Sequence, residues 1–256
     1  MKPLENRVAL VTGSSSGIGQ AIAIKLAGDG ANLVINFAGS RSGAEETLAK
    51  VEAAGARGII VQADVSKVAE LQPLIDRGWE SFGVVDILVN NAGMEKKDDF
   101  WNVTEEDYDR ILGVNLKGPF FLTQAFVRRL RSVKKSGRII NISSVHEDIA
   151  FPGFTNYCAS KGGLRMLMRS LAVELGPEGF TVNNVAPGAI ATPMNKSLLE
   201  DKPKLNALLA NIPLGRLGST GDVADLVAFL ASDAAAYVSG STFTVDGGLS
   251  RNYHEQ

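Results

Sequence analysis

The chain has 256 residues, 45% of them hydrophobic and 21% charged, and a formal net charge of −2. That balance excludes a disordered chain, and no basic excess calls for nucleic acid. The length permits one or two domains, and Cys158, the only cysteine, excludes an intrachain disulfide and fits a reducing compartment.

In chain order, short apolar runs alternate with longer amphipathic ones. Met1 to Arg7 is polar and shows no signal-peptide pattern. Strands are predicted over Val8–Val11, Asn32–Asn36, Gly58–Val61, Asp86–Val89, Arg138–Asn141, Phe180–Asn183 and Thr242–Val245. Helices are predicted over Ile18–Gly30, Ser42–Gly55, Val68–Phe82, about Thr104–Val133, Asn156–Gly176 and Asp222–Ala231. Strands separated by helices make βαβ crossovers. The expected fold is therefore α/β: a Rossmann-type, doubly wound parallel sheet of about seven strands with helices on both faces. The even rhythm predicts a single domain over residues 1–256. It breaks only between Pro187 and Gly218, where a long proline-containing insertion is expected to act as a substrate lid. No apolar run approaches the roughly 20 residues of a membrane span, so a cytoplasmic location is expected.

The first strand ends in Thr12-Gly13-Ser14-Ser15-Ser16-Gly17-Ile18-Gly19 and opens a helix. Glycines there allow a tight turn and a close approach to a pyrophosphate, while the helix N-terminus offers free N–H groups. The spacing Gly-x3-Gly-x-Gly differs from the Gly-x-Gly-x-x-Gly fingerprint, but its place after the first strand favours a nucleotide. Asp64-Val65 and Asn90-Asn91-Ala92-Gly93 also follow strands, where open α/β sheets bind ligands. Asp64 fits either a helix cap or a hydrogen bond to adenine. Asn91, Ala92 and Gly93 fit either a turn or a small-residue floor beneath the adenosine ribose.

Tyr157 and Lys161 are spaced i, i+4 on one helix face. A nearby ammonium is expected to lower the phenol's pKa, letting Tyr157 exchange a proton with a hydroxyl while hydride moves at a nicotinamide. Ser144 follows the fifth strand, where its hydroxyl fits either a turn cap or a hold on the reacting oxygen. Asn115 lies among helix-poor residues in Gly113-Val-Asn-Leu-Lys-Gly118. Either the helix breaks there for packing, or Asn115 positions Lys161 through a water.

Together these residues resemble the short-chain dehydrogenase/reductase family, whose features run in order from Thr12-Gly13-x3-Gly17-x-Gly19 to Asp246-Gly247-Gly248. The resemblance implies Tyr157 as general acid/base, with Lys161 binding the nicotinamide ribose and tuning Tyr157. Ser144 would orient the substrate oxygen, and Asn115 would complete the tetrad through a relay water. Gly13, Ser15, Ser16, Gly17, Ile18, Gly19, Asp64, Val65, Asn91, Ala92 and Gly93 would bind the cofactor. Pro187, Gly188, Ile190 and Thr192 would line its nicotinamide side. Phe37 stands where NAD-preferring members carry Asp, and Ser40 and Arg41 are placed to meet a 2′-phosphate, so NADP is favoured with NAD possible. Ser16, where many NADP-preferring members are basic, argues the other way.

Asn91-Ala-Gly-Met-Glu95, Ser143-Ser-Val-His-Glu147 and Tyr157-Cys-Ala-Ser-Lys-Gly-Gly163 are similar to the bacterial glucose 1-dehydrogenases of this family. That similarity implies oxidation of glucose to gluconolactone, with Glu95, His146 and Glu147 as candidate sugar contacts. Equally, Glu147 and His146 fit a loop salt bridge or a subunit contact. The segments 96–101 and 195–211 depart from the glucose enzymes. The runner-up is a 3-oxoacyl-[acyl-carrier-protein] reductase or other ketone reductase, weakened by Val173 where those enzymes often carry a basic residue. A non-catalytic cofactor-binding regulator is opposed by the intact tetrad. The resemblance also implies a homotetramer, built through the helix that carries Tyr157 and the helix before it. No metal is expected, since His146 and His254 lack ligand spacing.

Overall fold

The structure is a computed structural model that describes residues 2–193 and 199–252. One parallel sheet carries the strands β1 (Val8–Val11), β2 (Asn32–Phe37), β3 (Gly58–Gln62), β4 (Ile87–Asn90), β5 (Arg138–Ile142), β6 (Thr181–Pro187) and β7 (Thr242–Val245). Their spatial order is β3-β2-β1-β4-β5-β6-β7. The connections reverse direction between β1 and β4, which opens a crevice at the carboxyl ends of those strands.

The helices are α1 (Gly17–Gly28), α2 (Arg41–Ala53), α3 (Val68–Phe82), α4 (Glu105–Leu112), α5 (Gly118–Arg131), α6 (Thr155–Leu175), α7 (Lys202–Ala210) and α8 (Thr220–Ala231). Successive strand side chains point to opposite faces. On β1, Ala9 and Val11 pack with Ile22 and Leu26 of α1 and Val223 and Val227 of α8. Val8 and Leu10 pack on the other face with Leu71 and Ile75 of α3, Phe126 of α5 and Met168 of α6. Both faces of β1 are therefore dry, which is why it reads as a continuous apolar run rather than an alternating one.

The doubly wound sheet and its seven strands match the sequence expectation. Two elements differ. The long helix predicted over about 104–133 is divided into α4 and α5 by a π-helical turn, Gly113–Lys117. The turn is cramped from outside, because a side chain at Gly118 would meet the carbonyl of Val65 at 2.6 Å. The region expected to be a lid begins as the end of β6 and contains the unforeseen helix α7. Asp201 caps α7 by accepting from the Lys204 N–H. Residues 194–198 of the expected lid, and His254, lie outside the described residues. No described helix is long and apolar enough to cross a membrane.

Candidate active site

The crevice opens into a cavity of about 660 Å³. One end is the glycine loop. Gly13 and Gly17 take φ of +61° and +57°, the left-handed region that glycine occupies without a Cβ penalty. A Cβ on Gly19 would overlap the Asn91 amide and the Gly13 carbonyl. Thr12 joins the loop to β4, since its hydroxyl accepts from Asn91 N at 2.9 Å and from Ala92 N at 3.0 Å. Asn36 braces the loop from β2 by accepting from Gly13 N at 3.2 Å and donating to Ala63 O at 3.0 Å. In the sequence Thr12 stands out only as part of the glycine motif, and Asn36 not at all. An asparagine inside an otherwise apolar buried strand is the signal that could have marked the second.

Of the expected cofactor residues, Gly13, Ser15, Ser16, Gly17, Ile18, Gly19, Asp64, Val65, Asn91, Ala92, Gly93, Pro187, Gly188, Ile190 and Thr192 line this cavity. Asp64 forms a tight turn by accepting from Ser66 N and Oγ at 3.0 and 2.7 Å, while Lys67 occupies the N-cap position of α3. Three expected residues stand elsewhere. Phe37 is buried in the core at 1% exposure and does not reach the cavity, whose lining there is Ala38 and Gly39. Strand alternation turns Phe37 toward the helices. Ser40 caps α2, accepting from Gly43 N at 3.3 Å. Arg41 pairs with Glu45 at 2.9 Å on the exposed face of α2.

Deeper in the cavity lie Ser144, Tyr157 and Lys161. Ser144 takes extended backbone at the start of the 3-10 turn Val145–Glu147, and its hydroxyl accepts from His146 N at 3.1 Å. The Ser144 hydroxyl also hydrogen-bonds Tyr157. Lys161 is 4% exposed, and its Nζ donates to the Ile142 carbonyl at 2.9 Å, lying 5.7 Å from the centre of the Tyr157 ring. Burial pushes the Tyr157 phenol up to about 12, opposed by the Ser144 hydrogen bond and aided by the charge of Glu95. This corrects the expectation that Lys161 would depress Tyr157. Desolvation outweighs every attraction the phenolate would gain here. Burial likewise pulls Lys161 down to about 8, against the carboxylates of Glu147 and Glu95.

Asn115 is fully buried in the π turn and does not line the cavity. Its amide pairs reciprocally with the Met94 backbone, accepting from N and donating to O, both at 2.9 Å. It also donates to Ser160 Oγ at 3.1 Å, which donates in turn to the Tyr157 carbonyl at 2.7 Å. Asn115 thus ties the loop after β4 to the first turn of α6.

Glu95 and His146 both line the cavity, but Glu147 does not. The Glu147 carboxylate turns toward the sheet and accepts from Thr242 Oγ1 at 2.6 Å and Asn184 Nδ2 at 2.9 Å. Burial raises the Glu95 carboxyl, with Lys161 pulling the other way. His146 Nδ1 lies 3.1 Å from the Ile149 carbonyl. That contact places its hydrogen on Nδ1 and leaves Nε2 as an acceptor. Burial lowers the imidazole's pKa and keeps it neutral. Its ring stacks on Phe151 at 4.2 Å and 2°, and Phe151 stacks on Phe154 at 4.2 Å and 4°. Met94, Phe151, Phe154 and Leu208 also line the cavity and were not foreseen as site residues. The aromatic pair in the short loop before α6 was the available signal.

A nicotinamide dinucleotide fits this cavity. The left-handed turns at Gly13 and Gly17 present bare backbone to the cavity, and Ser143 Oγ, buried and without a partner among the described residues, lines the other end. The bound cofactor would supply a hydride donor or acceptor. Glycine loop, phenol, lysine and serine together define an enzyme that moves hydride and a proton at a CH–OH or C=O group.

Comparison with known proteins agrees. The family model described as Enoyl-(Acyl carrier protein) reductase matches residues 13–250, and the chain belongs to the short-chain dehydrogenase/reductase family. It is 43% identical over 246 residues to 3beta-hydroxysteroid dehydrogenase 1 of Eggerthella lenta, covering 96% of this chain and 94% of that one. It is 41% identical over 244 residues to a 3-oxoacyl-[acyl-carrier-protein] reductase of Staphylococcus epidermidis (95% and 99% covered). An L-rhamnose 1-dehydrogenase (NAD(P)(+)) of a Sphingomonas species is 40% identical over 249 residues (97% and 98%). The solved gluconate 5-dehydrogenase of Burkholderia cenocepacia, in complex with NADP and tartrate, superposes with a TM-score of 0.92 at 34% identity, covering 98% of this chain and 97% of that one. These relatives span sugars, steroids and acyl thioesters, and the similarity to glucose 1-dehydrogenases in particular is not among them.

Proposed function

We propose that this dehydrogenase oxidises the anomeric hydroxyl of a sugar, with D-glucose going to glucono-1,5-lactone as the leading case. The observation that carries the reading is the wall around Tyr157, where the polar Glu95 and His146 stand beside the flat faces of Phe151 and Phe154. A pyranose presents hydroxyls at its rim and C–H groups on its faces, and such a wall meets both. In the oxidation, the Tyr157 phenolate would take the hydroxyl proton, while a bound nicotinamide would supply the hydride acceptor for C1, leaving C1–O as the lactone carbonyl. Ser144 holds the reacting oxygen and Lys161 supplies positive charge beneath Tyr157.

NADP is the favoured cofactor and NAD is tolerated. No carboxylate lines the cavity at the end of β2, where Ala38 and Gly39 stand, so nothing there repels a 2′-phosphate. The Arg41–Glu45 pair is exposed and worth about 1 kcal/mol or less, so Arg41 is readily released to a phosphate. Exposed Phe120 on α5 and Met166 and Val173 on α6 support a homotetramer closed through those helices. The chain acts as one catalytic domain, in the cytoplasm, with the region 187–218 as its lid.

The second reading, reduction of a 3-oxoacyl thioester or other ketone, draws on the apolar Met94 and Leu208 in the same wall and on the Staphylococcus relative. Absorbance at the reduced-nicotinamide band separates the two, using D-glucose, other aldoses and acetoacetyl thioesters. Turnover confined to the thioesters overturns the sugar reading. Tyr157→Phe abolishes turnover with every substrate and leaves cofactor affinity intact; retained turnover would refute the proton chemistry itself.

A further inference from the structure

Asn90 of β4, Asn141 of β5, Asn184 of β6 and Thr242 of β7 are direct register partners, one beside the next across four parallel strands. The three asparagines are at most 3% exposed. Their amides run in one direction. Asn90 Nδ2 donates to Asn141 Oδ1 at 2.9 Å, and Asn141 Nδ2 donates to Asn184 Oδ1 at 2.9 Å. Asn184 Nδ2 then donates to Glu147, which also accepts from Thr242 at the far end. The carboxylate is 3% exposed, with Arg165 Nε at 3.6 Å and no closer cation among the described residues.

Such a row needs a terminus. An amide can face either way, and an ionised carboxylate is an acceptor only, so it forces Asn184 to present its NH2 and fixes every amide behind it. The terminus is also the last residue of the turn that begins at Ser144. Besides Glu147, that turn has its own short-range bonds, Glu147 N to Ser144 O at 3.0 Å and Ile149 N to Val145 O at 3.0 Å, and is flanked by two further ties, Ser143 N to Val185 O at 2.7 Å and Arg165 to the Asp148 carboxylate at 2.6 Å. We propose that Glu147 is a positioning residue for catalysis: it anchors the Ser144 turn to β6 and β7 and so sets the Ser144 hydroxyl against Tyr157. The proposal rests on the hydride-and-proton reading of Tyr157 and is independent of which alcohol is oxidised.

The test compares Glu147→Gln, Glu147→Ala, Thr242→Val and the Glu147→Ala/Thr242→Val double variant. Glutamine can accept from Asn184 and donate to Thr242 Oγ1, so it keeps the anchor. Turnover is read with D-glucose and NADP⁺, and with butane-2,3-dione and NADPH as a small carbonyl that needs few contacts. Glu147→Ala is expected to lower kcat about 10- to 100-fold, the usual cost of a misplaced catalytic group. Cofactor Kd should stay unchanged, and Glu147→Gln should restore most of kcat. Thr242→Val, which keeps the side-chain shape and removes one donor to Glu147, should lower kcat less, and should add nothing in the Glu147→Ala background. Amide exchange of the segment 143–149 gives a readout that needs no substrate. It should quicken in Glu147→Ala and Thr242→Val and stay slow in Glu147→Gln. Unchanged exchange in both, additive effects in the double variant, or a loss in KM alone shared by Glu147→Gln would overturn the proposal. Failure of the glucose reading would leave the exchange result decisive.

Discussion

Replacing Lys161 by methionine should make this protein more stable at neutral pH while destroying its activity. Lys161 is 4% exposed, and burial pulls its pKa from 10.5 to about 8. The unfolded lysine therefore binds a proton that the folded one sheds between those two values. Stability of the wild type rises with pH through that window, because the unfolded state holds more protons there. At pH 7 the buried ammonium costs about 3 kcal/mol, at about 1.4 kcal/mol per pKa unit. Methionine fills a similar volume without the charge, but it leaves the Ile142 carbonyl without its donor, a loss of about 1 kcal/mol. The net gain is about 2 kcal/mol at pH 7, or about 5 °C in Tm for a chain of this size. By pH 9.5 the advantage should shrink by about 2 kcal/mol, since the folded wild-type lysine is then mostly neutral. Urea melts of both proteins at pH 7 and 9.5, at one fixed protein concentration, measure this directly. A variant that melts below wild type at pH 7, or a gap that does not narrow with pH, would refute the reasoning. The price of function is visible in the same variant, whose kcat should fall at least about 100-fold if Lys161 serves the proton transfer.

Gly19→Ala should weaken cofactor binding about 10- to 100-fold, the equivalent of the 1–3 kcal/mol that overpacking costs, because its Cβ overlaps Asn91 and the Gly13 carbonyl. Fluorescence titration with NADPH checks this, and an unchanged Kd would contradict the loop assignment. Arg41→Ala should lower kcat/KM for NADP about 10-fold and leave NAD untouched, as expected for one lost charge-assisted phosphate contact; equal effects on both cofactors would remove Arg41 from the site. With Tyr157 held up at about 12, oxidation should accelerate with rising pH as the phenolate population grows. Reduction, which consumes the phenol's proton, should not accelerate. Initial rates in both directions from pH 6 to 8, below the range where Lys161 sheds its proton, distinguish them, and parallel profiles would count against Tyr157 as the proton carrier.

Much of the molecule was legible in the sequence because its signals are local. The apolar run at Val8–Val11 marked a strand to the residue, since burial on both faces leaves no polar alternation to blur its ends, whereas the partly exposed Thr242–Val245 was marked by its β-branched and aromatic residues. Gly13, Gly17 and Gly19 announced the nucleotide loop through a backbone constraint that no other residue meets. Tyr157 and Lys161 shared a helix face by spacing alone.

What the sequence could not assign was direction. Phe37, Ser40 and Arg41 lie at the right point of the chain, yet the pleat sends Phe37 into the core, and α2 claims Ser40 as a cap. Glu147 stands beside His146 in sequence, yet the 3-10 turn after Ser144 separates them. One faces the cavity and the other reaches through to β6 and β7. Its partners Asn184 and Thr242 are 37 and 95 residues away, so only the packed sheet could bring them together. The tetrad changed in the same way. Spacing placed Tyr157 and Lys161 on one helix face, and the family resemblance implied their roles. Burial, a property of the tertiary structure alone, raised the first and lowered the second, because a low-dielectric interior disfavours whichever form is charged.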